Sequence, residues 1–360
     1  MSFIVKKKVS LVKAIDLFCG AGGLTHGLIN SGIDVIAGYD IEESCKFAYE
    51  YNNKAQFITK DITTLDSKEI NKLLQNSPYT LLAGCAPCQP FSTYARSSKQ
   101  RLTGKDHRWD LLTSFGQIVS EVKPDFVTME NVPGLAEEQV FKDFLSLLVK
   151  YDYNIDFQLI FCPDYGMAQT RKRLVLVASR ICPIFLPQPT HSPASYQTVY
   201  DVIGHLPPII AGQIHPEDPL HRSSALSDIN LKRIKASKPG GTWLDWPVDL
   251  RANCHKKISG ITYPSVYGRM SWDEPAPTIT TQCNGYGNGR FGHPEQDRAI
   301  SLREAAIIQS FPDTYQFTSP KEKSPGIVSL AKMIGNAVPV RLGEIVGQSI
   351  LLALKNMQKN

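Results

Sequence analysis

The 360-residue sequence lacks the features that mark a membrane protein, a secreted disulfide scaffold or a disordered polymer. No uninterrupted apolar run approaches the ~20 residues needed to cross a bilayer, so no membrane association is expected. The apolar stretch after the first lysines is broken at Lys13 and Asp16, and forms no signal-peptide core. Eight cysteines in such a chain are typical of reduced cytosolic thiols. With 42% hydrophobic and 20% charged residues, the chain has enough material for roughly two folded domains.

Common cofactor signatures are missing as well. Cys85-x-x-Cys88 has no second cysteine pair, and the histidines show no metal-ligand spacing, so we expect no metal site. The dinucleotide fingerprint would need a glycine where Thr25 stands, and the lysine of a phosphate-binding loop is absent. The net charge of +5 permits a polyanionic partner without requiring one.

Residues 11–180 alternate short apolar runs with amphipathic stretches, which predicts an α/β fold with a doubly wound, mostly parallel sheet. Strands are predicted at 14–18, 35–37, 57–59, 80–83, 126–129 and 174–178, and helices at 24–31, 44–52, 67–75, 111–121 and 140–150.

Residues 181–300 differ in composition from the preceding region, since 14 of the 24 prolines and three of the four tryptophans lie there. We interpret this region as a second, smaller, loop-rich domain. A helical pattern returns at 301–311, and residues 335–339 open a last amphipathic helix that needs an apolar partner in the first domain. The predicted division is therefore 11–180 plus 326–360 for one domain and 181–325 for the other.

A glycine-rich turn, residues 16–23, follows the first strand and opens a helix. Such a turn lets the backbone approach a ligand at a helix N-terminus. Asp40 and Asp61 end later strands, where carboxylates can accept hydrogen bonds from ribose hydroxyls. These features favour a nucleotide-like ligand without a pyrophosphate. The alternative is a tight turn with solvated carboxylates.

Cys88 lies on a rigid turn just after the strand at 80–83, where parallel sheets bind ligands. Only a few per cent of an ordinary thiol is ionised near neutral pH, so a nucleophilic Cys88 needs a basic neighbour or a substrate that takes up a proton. Two alternatives are a redox pair with Cys85 and a buried structural cysteine. The basic segment 92–109 that follows is interpreted either as a lid that closes on phosphates or as a solvated loop.

Two more polar groups follow strand signals. Glu130 ends the strand at 126–129 and would face the crevice of Cys88, where a protonated carboxyl could donate to a ring nitrogen. Its alternative role is to cap the next turn. Gln169, Arg171 and Arg173 share one face if they lie in a strand, and their guanidiniums could hold a carboxylate, a base carbonyl or a phosphate. The alternative is an edge strand blunted by charge.

The order of these motifs resembles the DNA (cytosine-5)-methyltransferase family. The series runs from the glycine turn with Asp40 through Pro87-Cys88-Gln89, Glu130-Asn131-Val132, Gln169-x-Arg171-x-Arg173 and a variable region to residues 335–339. Residues 298–312 are similar to that family's penultimate motif, and the resemblance spans about 14–354. The length resembles the stand-alone bacterial type that protects DNA beside a restriction enzyme.

The resemblance implies S-adenosylmethionine as cofactor. It implies that Asp40 takes the ribose hydroxyls, that Asp61 approaches the adenine, and that Asn336 and Val338 complete the pocket from the chain's end. The implied cofactor residues are Asp16, Phe18, Gly20, Gly22, Gly23, Asp40, Ile41, Asp61, Ile62, Asn336 and Val338.

The implied chemistry begins with attack of the Cys88 thiolate on C6 of a flipped-out cytosine, which makes C5 nucleophilic. Glu130 donates to N3, and Arg173 holds the base O2 and orients Glu130, with Arg171 alongside. The implied catalytic residues are Cys88, Glu130, Arg171, Arg173, Gln89 and Asn131.

The implied partner is double-stranded DNA, read by the region 181–300 acting as a target-recognition domain. A monomer working in the cytoplasm at the nucleoid, paired functionally with a restriction endonuclease, is expected. Alternatives are a tRNA cytosine-5 methyltransferase, a non-catalytic DNA-binding module of the same fold and an NAD-linked oxidoreductase, the last weakened by Thr25. The candidate DNA-binding residues are Ser92, Arg96, Arg101, Arg108, Thr278, Asn284 and Arg290.

Overall fold

The computed structural model describes residues 10–87, 110–257, 264–321 and 324–359. A seven-stranded sheet has the order β3-β2-β1-β4-β5-β7-β6. Its strands are β1 (Val12–Leu17), β2 (Asp34–Asp40), β3 (Gln56–Thr59), β4 (Tyr79–Gly84), β5 (Phe126–Asn131), β6 (Asn154–Phe161) and β7 (Lys172–Ser179). The α-helices are α1 (Gly23–Ser31), α2 (Lys46–Asn53), α3 (Ser67–Leu74), α4 (Asp110–Val122), α5 (Gln139–Lys150), α6 (Val199–Ile203), α7 (Asp228–Ala236), α8 (Leu302–Ile308), α9 (Ile327–Asn336) and α10 (Val340–Met357).

The mostly parallel sheet confirms the predicted fold class. Strands β1 to β5 pair in parallel with their neighbours, and β7 runs antiparallel to β5. All six residues of β5 are buried, as expected for a central strand covered on both faces. Strand β6 was not predicted, because its side chains are mostly exposed or half-buried and form no buried apolar run.

The strand order reverses between β1 and β4, which defines the switch point where open α/β sheets bind ligands. The carboxyl ends of β1, β2, β4 and β5 meet at one edge of the sheet because these strands are parallel. Since β7 is antiparallel to β5, its first residues reach the same edge. Asp40, which ends β2, and Glu130 of β5 therefore lie on this edge.

The chain forms two compact units. Unit 1 comprises residues 1–160, 173–188 and 342–360, and unit 2 comprises 161–172 and 189–341. The predicted domain division differs from these units, because it placed residues 161–172 and 326–341 in the sheet domain. Helix α9 instead packs on α8 within unit 2, and Gly335 lies so close to the backbone of Thr280 that an added Cβ would be 2.3 Å from it.

The core of unit 1 lies between the sheet and its helices. Phe115 of α4 stacks on Phe144 of α5, with ring centroids 5.6 Å apart. The last helix packs on α1 within this unit, as the sequence predicted. Small residues make this approach possible, since a Cβ on Gly343 would lie 2.5 Å from the carbonyl oxygen of Leu24.

Helical residues Ile327–Met357 include an 18-residue window that is apolar enough to cross a membrane by length and composition. However, 72% of that window is buried inside the structure. The helical path also breaks at Ala337, between α9 and α10. This stretch is therefore core-forming in the fold.

Unit 2 contains few regular elements, which confirms the loop-rich prediction. Its small aromatic core includes Trp243 and Trp246, whose side chains are almost fully buried. His255 stacks on Trp243 with ring centroids 4.2 Å apart. Two of the tryptophans that suggested an ordered region therefore do hold this unit together.

A buried ionic network lies beside α8 in unit 2. Arg298 donates from both Nη atoms to the two carboxylate oxygens of Glu304, at 2.8 and 2.6 Å. Glu304 also closes a capping box at the start of α8, since the Ser301 N–H donates to its Oε2 at 2.6 Å and its own N–H donates to Ser301 Oγ at 3.0 Å. Although burial opposes ionisation, Arg298 holds the pKa of Glu304 below its ordinary value.

His293 makes unit 2 sensitive to acid. Its Nδ1 accepts hydrogen bonds from the N–H groups of Glu295 and Gln296, so this nitrogen has no room for a proton. Burial lowers the pKa of His293 to about 4; Glu304 opposes the shift, while Arg298, Arg269 and His221 reinforce it. The unfolded chain therefore binds more protons than the folded one between about pH 4 and the ordinary histidine pKa of about 6.5.

We expect unit 2 to lose stability as the pH falls through this window. The loss attributable to His293 is about 3 kcal/mol between pH 6.5 and 4. The His293→Asn variant keeps an acceptor oxygen but cannot be protonated there, so it should lose about that much less than the wild type. Urea unfolding at several pH values, followed by tryptophan fluorescence, measures the difference. Parallel loss in both proteins would show that His293 is not responsible.

Candidate active site

The candidate site is built on the carboxyl edge of the sheet in unit 1. It begins with the turn after β1, where Phe18, Gly20 and Gly22 have φ values of 62°, 50° and 89°. Glycine adopts this left-handed region without strain, whereas Phe18 does so at a cost. Helix α1 begins at Gly23, so the turn presents a helix N-terminus, as predicted. The space around Gly20 is open, because an added Cβ would meet no atom within 4 Å.

Asp16 is the second-last residue of β1, just before this turn, and is 1% exposed. Thr25 donates its hydroxyl to Asp16 Oδ2 at 2.7 Å. Within the described residues, Asp16 Oδ1 is buried and has no hydrogen-bond partner. Burial raises the pKa of Asp16 to about 7, although the Thr25 hydrogen bond lowers it. A buried carboxylate oxygen that lacks a hydrogen-bond partner suits a cationic ligand group.

Asp40 ends β2 and is tied to the glycine turn. Its Oδ2 accepts from the Gly20 N–H at 2.8 Å, and its Oδ1 accepts from the Glu42 N–H at 2.9 Å. Each oxygen retains a lone pair for a hydroxyl group of a ligand. Burial raises the pKa of Asp40, against the opposing effect of these backbone donors.

An apolar side chain and a second carboxylate follow the ends of β2 and β3, which pair side by side. Ile41 is 71% exposed, which is unusual for a large aliphatic side chain and suits contact with a flat ring. Asp61 is exposed, and its side chain accepts from the N–H of Thr63 at 2.9 Å. Asp61 therefore caps the 3-10 helix Ile62–Thr64, while Ile62 is buried.

Glu130 is held from two sides at the end of β5. Arg173 Nε lies 2.7 Å from Glu130 Oε1, and the Cys85 thiol donates to Glu130 Oε2 at 2.9 Å. The register explains both contacts. Gly84 of β4 pairs with Met129, so the residues that follow them in the chain, Cys85 and Glu130, are neighbours. Val175 of β7 pairs with Glu130, so Arg173 is its diagonal neighbour.

Glu130 does not cap the following turn. The 3-10 helix Pro133–Glu137 has Val132 at its N-cap position and receives no side-chain hydrogen bond there. The capping alternative for Glu130 is therefore wrong.

Asn131 fixes the loop that leads towards Cys88. Its Nδ2 donates to the carbonyl oxygen of Ala86 at 3.0 Å, and its Oδ1 accepts from the Val132 N–H at 2.9 Å. Asn131 is 4% exposed, so this link between the ends of β4 and β5 is buried. Its observed contacts are those of a residue that positions the loop.

The prediction that Gln169, Arg171 and Arg173 share one strand face is wrong. Strand β7 begins at Lys172, so the first two residues precede it. Gln169 donates to Gln309 Oε1 at 2.7 Å, and Arg171 donates to the carbonyl oxygens of Ile279 and Ala337 within unit 2. The charged-edge alternative is also wrong, because β7 lies between β5 and β6.

The remaining predicted residues of the described chain lie in unit 2. Asn336 is exposed at the end of α9, and Val338 is buried just after it. Thr278 donates its hydroxyl to the Thr170 carbonyl at 3.1 Å, and Asn284 donates to Ser224 Oγ at 3.3 Å. Arg290 is half-buried, and its Nε has no hydrogen-bond partner in the described part of the chain.

Six predicted residues lie outside the described ranges, at 88–109. They are Cys88, Gln89, Ser92, Arg96, Arg101 and Arg108. The redox-pair interpretation of Cys85 and Cys88 and the two interpretations of the basic segment therefore stay predictions. Among the residues with described positions, no three His, Cys, Asp or Glu side chains gather as a metal site would require.

Two contacts of the site were not predicted. The sequence predicts Cys85 only as a redox partner and Thr25 only as a departure from a fingerprint. In the structure both side chains donate to buried carboxylates. The alternation of side chains along a strand could not predict either contact, because each contact joins residues on different elements.

Comparisons with known proteins find relatives that match nearly the whole chain. The family model for C-5 cytosine-specific DNA methylase matches residues 12–352. Type II methylase M.HgiDII of Herpetosiphon aurantiacus is 51% identical over 348 residues, covering 96% of each chain. Type II methyltransferase M1.BsuMI of Bacillus subtilis is 30% identical over 372 residues, covering 96% of this chain and 81% of that protein.

Solved structures share the fold at lower identity. A DNA modification methyltransferase encoded within an E. coli prophage superposes with a TM-score of 0.72 at 23% identity, covering 96% of this chain and 99% of that one. The Entamoeba histolytica methyltransferase EhMeth gives a TM-score of 0.67 at 18% identity, covering 95% and 98%. The chain therefore belongs to the C-5 cytosine-specific DNA methylase family and is a DNA (cytosine-5)-methyltransferase.

Proposed function

We propose that the protein transfers a methyl group from S-adenosylmethionine to C5 of a flipped-out cytosine in a specific double-stranded DNA sequence. The observation that supports this most directly is the buried carboxyl of Glu130. Arg173 and Cys85 hold this carboxyl at the end of β5. Cys88 follows Cys85 by three residues in the chain. A fixed acid and a thiol nucleophile are the two groups that attack on a pyrimidine ring requires.

The residues around the glycine turn fit the proposed cofactor. The buried Asp16 Oδ1 without a partner suits the cationic end of the methionine part, and the Asp40 carboxylate suits two adjacent ribose hydroxyls. Ile41 offers an apolar surface to the adenine, and Asp61 follows the neighbouring strand β3. When bound, the cofactor supplies a methyl group made electrophilic by its sulfonium. Asn336 and Val338 are proposed to complete this pocket.

The chain's own residues perform the other steps. The Cys88 thiolate forms a bond to C6, which turns C5 into a nucleophile. Glu130 donates its proton to N3 and so accepts the charge that the attack pushes into the ring. Arg173 keeps the Glu130 carboxyl in place and is proposed to bind the base O2. After transfer a base removes the C5 proton, the ring double bond re-forms with expulsion of the Cys88 thiolate, and the N3 proton returns to Glu130.

The biological setting is proposed from the same family relationship. The protein would act as a monomer on duplex DNA in the cytoplasm, at the nucleoid, and would protect sites cut by a partner restriction endonuclease. Extruding the target base costs a few kcal/mol, which contacts between the protein and the DNA must offset. The segment 92–109 and unit 2 are proposed to supply those contacts, with Thr278, Asn284 and Arg290 among them.

A substrate comparison tests this function. Purified protein is incubated with methyl-labelled S-adenosylmethionine and either duplex DNA or transfer RNA, and the labelled base is identified. We expect 5-methylcytosine in DNA at one sequence context, located by bisulfite sequencing. Label in RNA alone would establish the RNA methyltransferase instead. Cofactor binding and DNA binding without any transfer would indicate a non-catalytic module.

A further inference from the structure

Cys85 is the first residue after β4, and the structure gives its side chain a specific partner. Its backbone N–H donates to the Leu17 carbonyl at 3.2 Å, which fixes the residue against the neighbouring strand. Its Sγ lies 2.9 Å from Glu130 Oε2, on the oxygen opposite the one that faces Arg173. The thiol is only partly exposed. The Glu130 carboxyl therefore lies between the guanidinium of Arg173 and the thiol of Cys85.

We propose that Cys85 is a positioning residue for Glu130, and that its thiol hydrogen bond holds the carboxyl in the orientation needed to protonate the cytosine ring. The inference rests on the role proposed above for Glu130. It assigns a function to the first cysteine of the Cys85-x-x-Cys88 pair that requires neither oxidation nor a metal.

The direction of the hydrogen bond follows from the surroundings of the thiol. Burial raises the pKa of Cys85 well above its ordinary value, and the Glu130 charge and hydrogen bond add to this effect. Arg173 opposes the shift and Asp16 reinforces it. Cys85 therefore stays a neutral thiol at neutral pH and can only donate to the carboxylate oxygen.

Two partners constrain Glu130 more than one does. A single contact with Arg173 at Oε1 leaves the carboxyl free to rotate about its last side-chain torsion, which is broad for glutamate. A second contact at Oε2 removes that rotation. When Glu130 gives its proton to N3, the resulting negative charge lies between a cation and a donor. Both effects favour the step in which the ring gains charge, and neither requires contact between Cys85 and the substrate.

Serine and alanine separate this role from simple packing. Serine at position 85 keeps a donor in nearly the same volume, whereas alanine removes the donor. We expect Cys85→Ala to lower kcat about tenfold, the worth of one hydrogen bond to a charged group. The KM values for DNA and S-adenosylmethionine should stay the same, because the proposed role of Cys85 acts only through its hydrogen bond to Glu130. Cys85→Ser should stay within about threefold of the wild-type kcat.

A double-mutant cycle makes the test decisive. In the Glu130→Gln background, adding Cys85→Ala should cause no further loss, because the thiol acts only through that carboxyl. Cys182→Ala removes another buried thiol of unit 1 and serves as the matched control, with wild-type kcat expected. Cys85→Ala losses that are equal in both backgrounds, or absent from the wild-type background, would overturn the proposal.

Failure of the wider function gives a different result. If Glu130→Gln alone leaves kcat unchanged, the role of Glu130 itself is wrong, whatever Cys85 does. If Glu130→Gln lowers kcat strongly and Cys85→Ala does not, only the positioning role of Cys85 is lost. The two failures are therefore distinguished within one set of variants.

Discussion

Replacement of Cys88 by alanine should abolish methyl transfer. We expect the turnover rate with duplex DNA to fall by at least about 10⁴-fold, because the other thiol of the proposed site, Cys85, has a raised pKa and donates to Glu130, and so is a poor nucleophile. Without that bond the cytosine ring is a poor nucleophile at C5, so cofactor binding and base extrusion bring no reaction. DNA affinity and S-adenosylmethionine affinity should remain near wild type. Labelled-methyl transfer and equilibrium titration measure these quantities separately.

The matched control for this variant is Cys85→Ser. It alters the other cysteine of the pair and should retain much of the activity. Incubation with a duplex containing 5-fluorocytosine should trap the wild type and Cys85→Ser covalently, because fluorine cannot leave C5 as a proton does. Cys88→Ala should bind the same duplex without a covalent adduct. Equal loss of activity in both single variants would favour a redox dithiol over a single nucleophile.

The sheet could be predicted to the extent that its strands form buried apolar runs. Strand β5 is buried along its whole length and was located within two residues. Strand β6 was missed because Phe157 and Leu159 are 43% and 57% exposed, so its apolar residues do not form a buried run. The apolar residues of β6 instead fall at alternate positions from Ile155 to Phe161, a pattern that a search for continuous buried runs misses.

The position of Glu130 could be predicted because it follows a clear strand signal. Its contact with Arg173 was implied by the family resemblance, but its contact with Cys85 could not be predicted, since that depends on the register of β4 against β5. The same limit explains the error at Gln169 and Arg171, whose spacing suits a strand but whose hydrogen bonds go to Gln309, Ile279 and Ala337. Local pattern indicates which face a side chain occupies, while long-range contacts decide what it touches.

Replacement of Glu304 by alanine should be the most destabilising single change in unit 2. Arg298 is fully buried and donates to both oxygens of Glu304 at 2.8 and 2.6 Å. Removal of one partner leaves a buried guanidinium without its counter-charge, which costs about 3–5 kcal/mol. The change also removes the capping box with Ser301 at the start of α8. Urea unfolding monitored by fluorescence of Trp243 and Trp246 reports on this unit, because both side chains lie in its core.

Two further variants test whether the buried charge is the cause. Lys60→Ala breaks the Lys60–Glu69 ion pair, whose side chains are 30% and 36% exposed, and should cost no more than about 1 kcal/mol. The double variant Arg298→Met with Glu304→Leu removes both charges and should recover most of the Glu304→Ala loss, because the main penalty is an unpaired buried ion. If the double variant is as unstable as Glu304→Ala, packing and the lost cap, not the stranded charge, set the stability of unit 2.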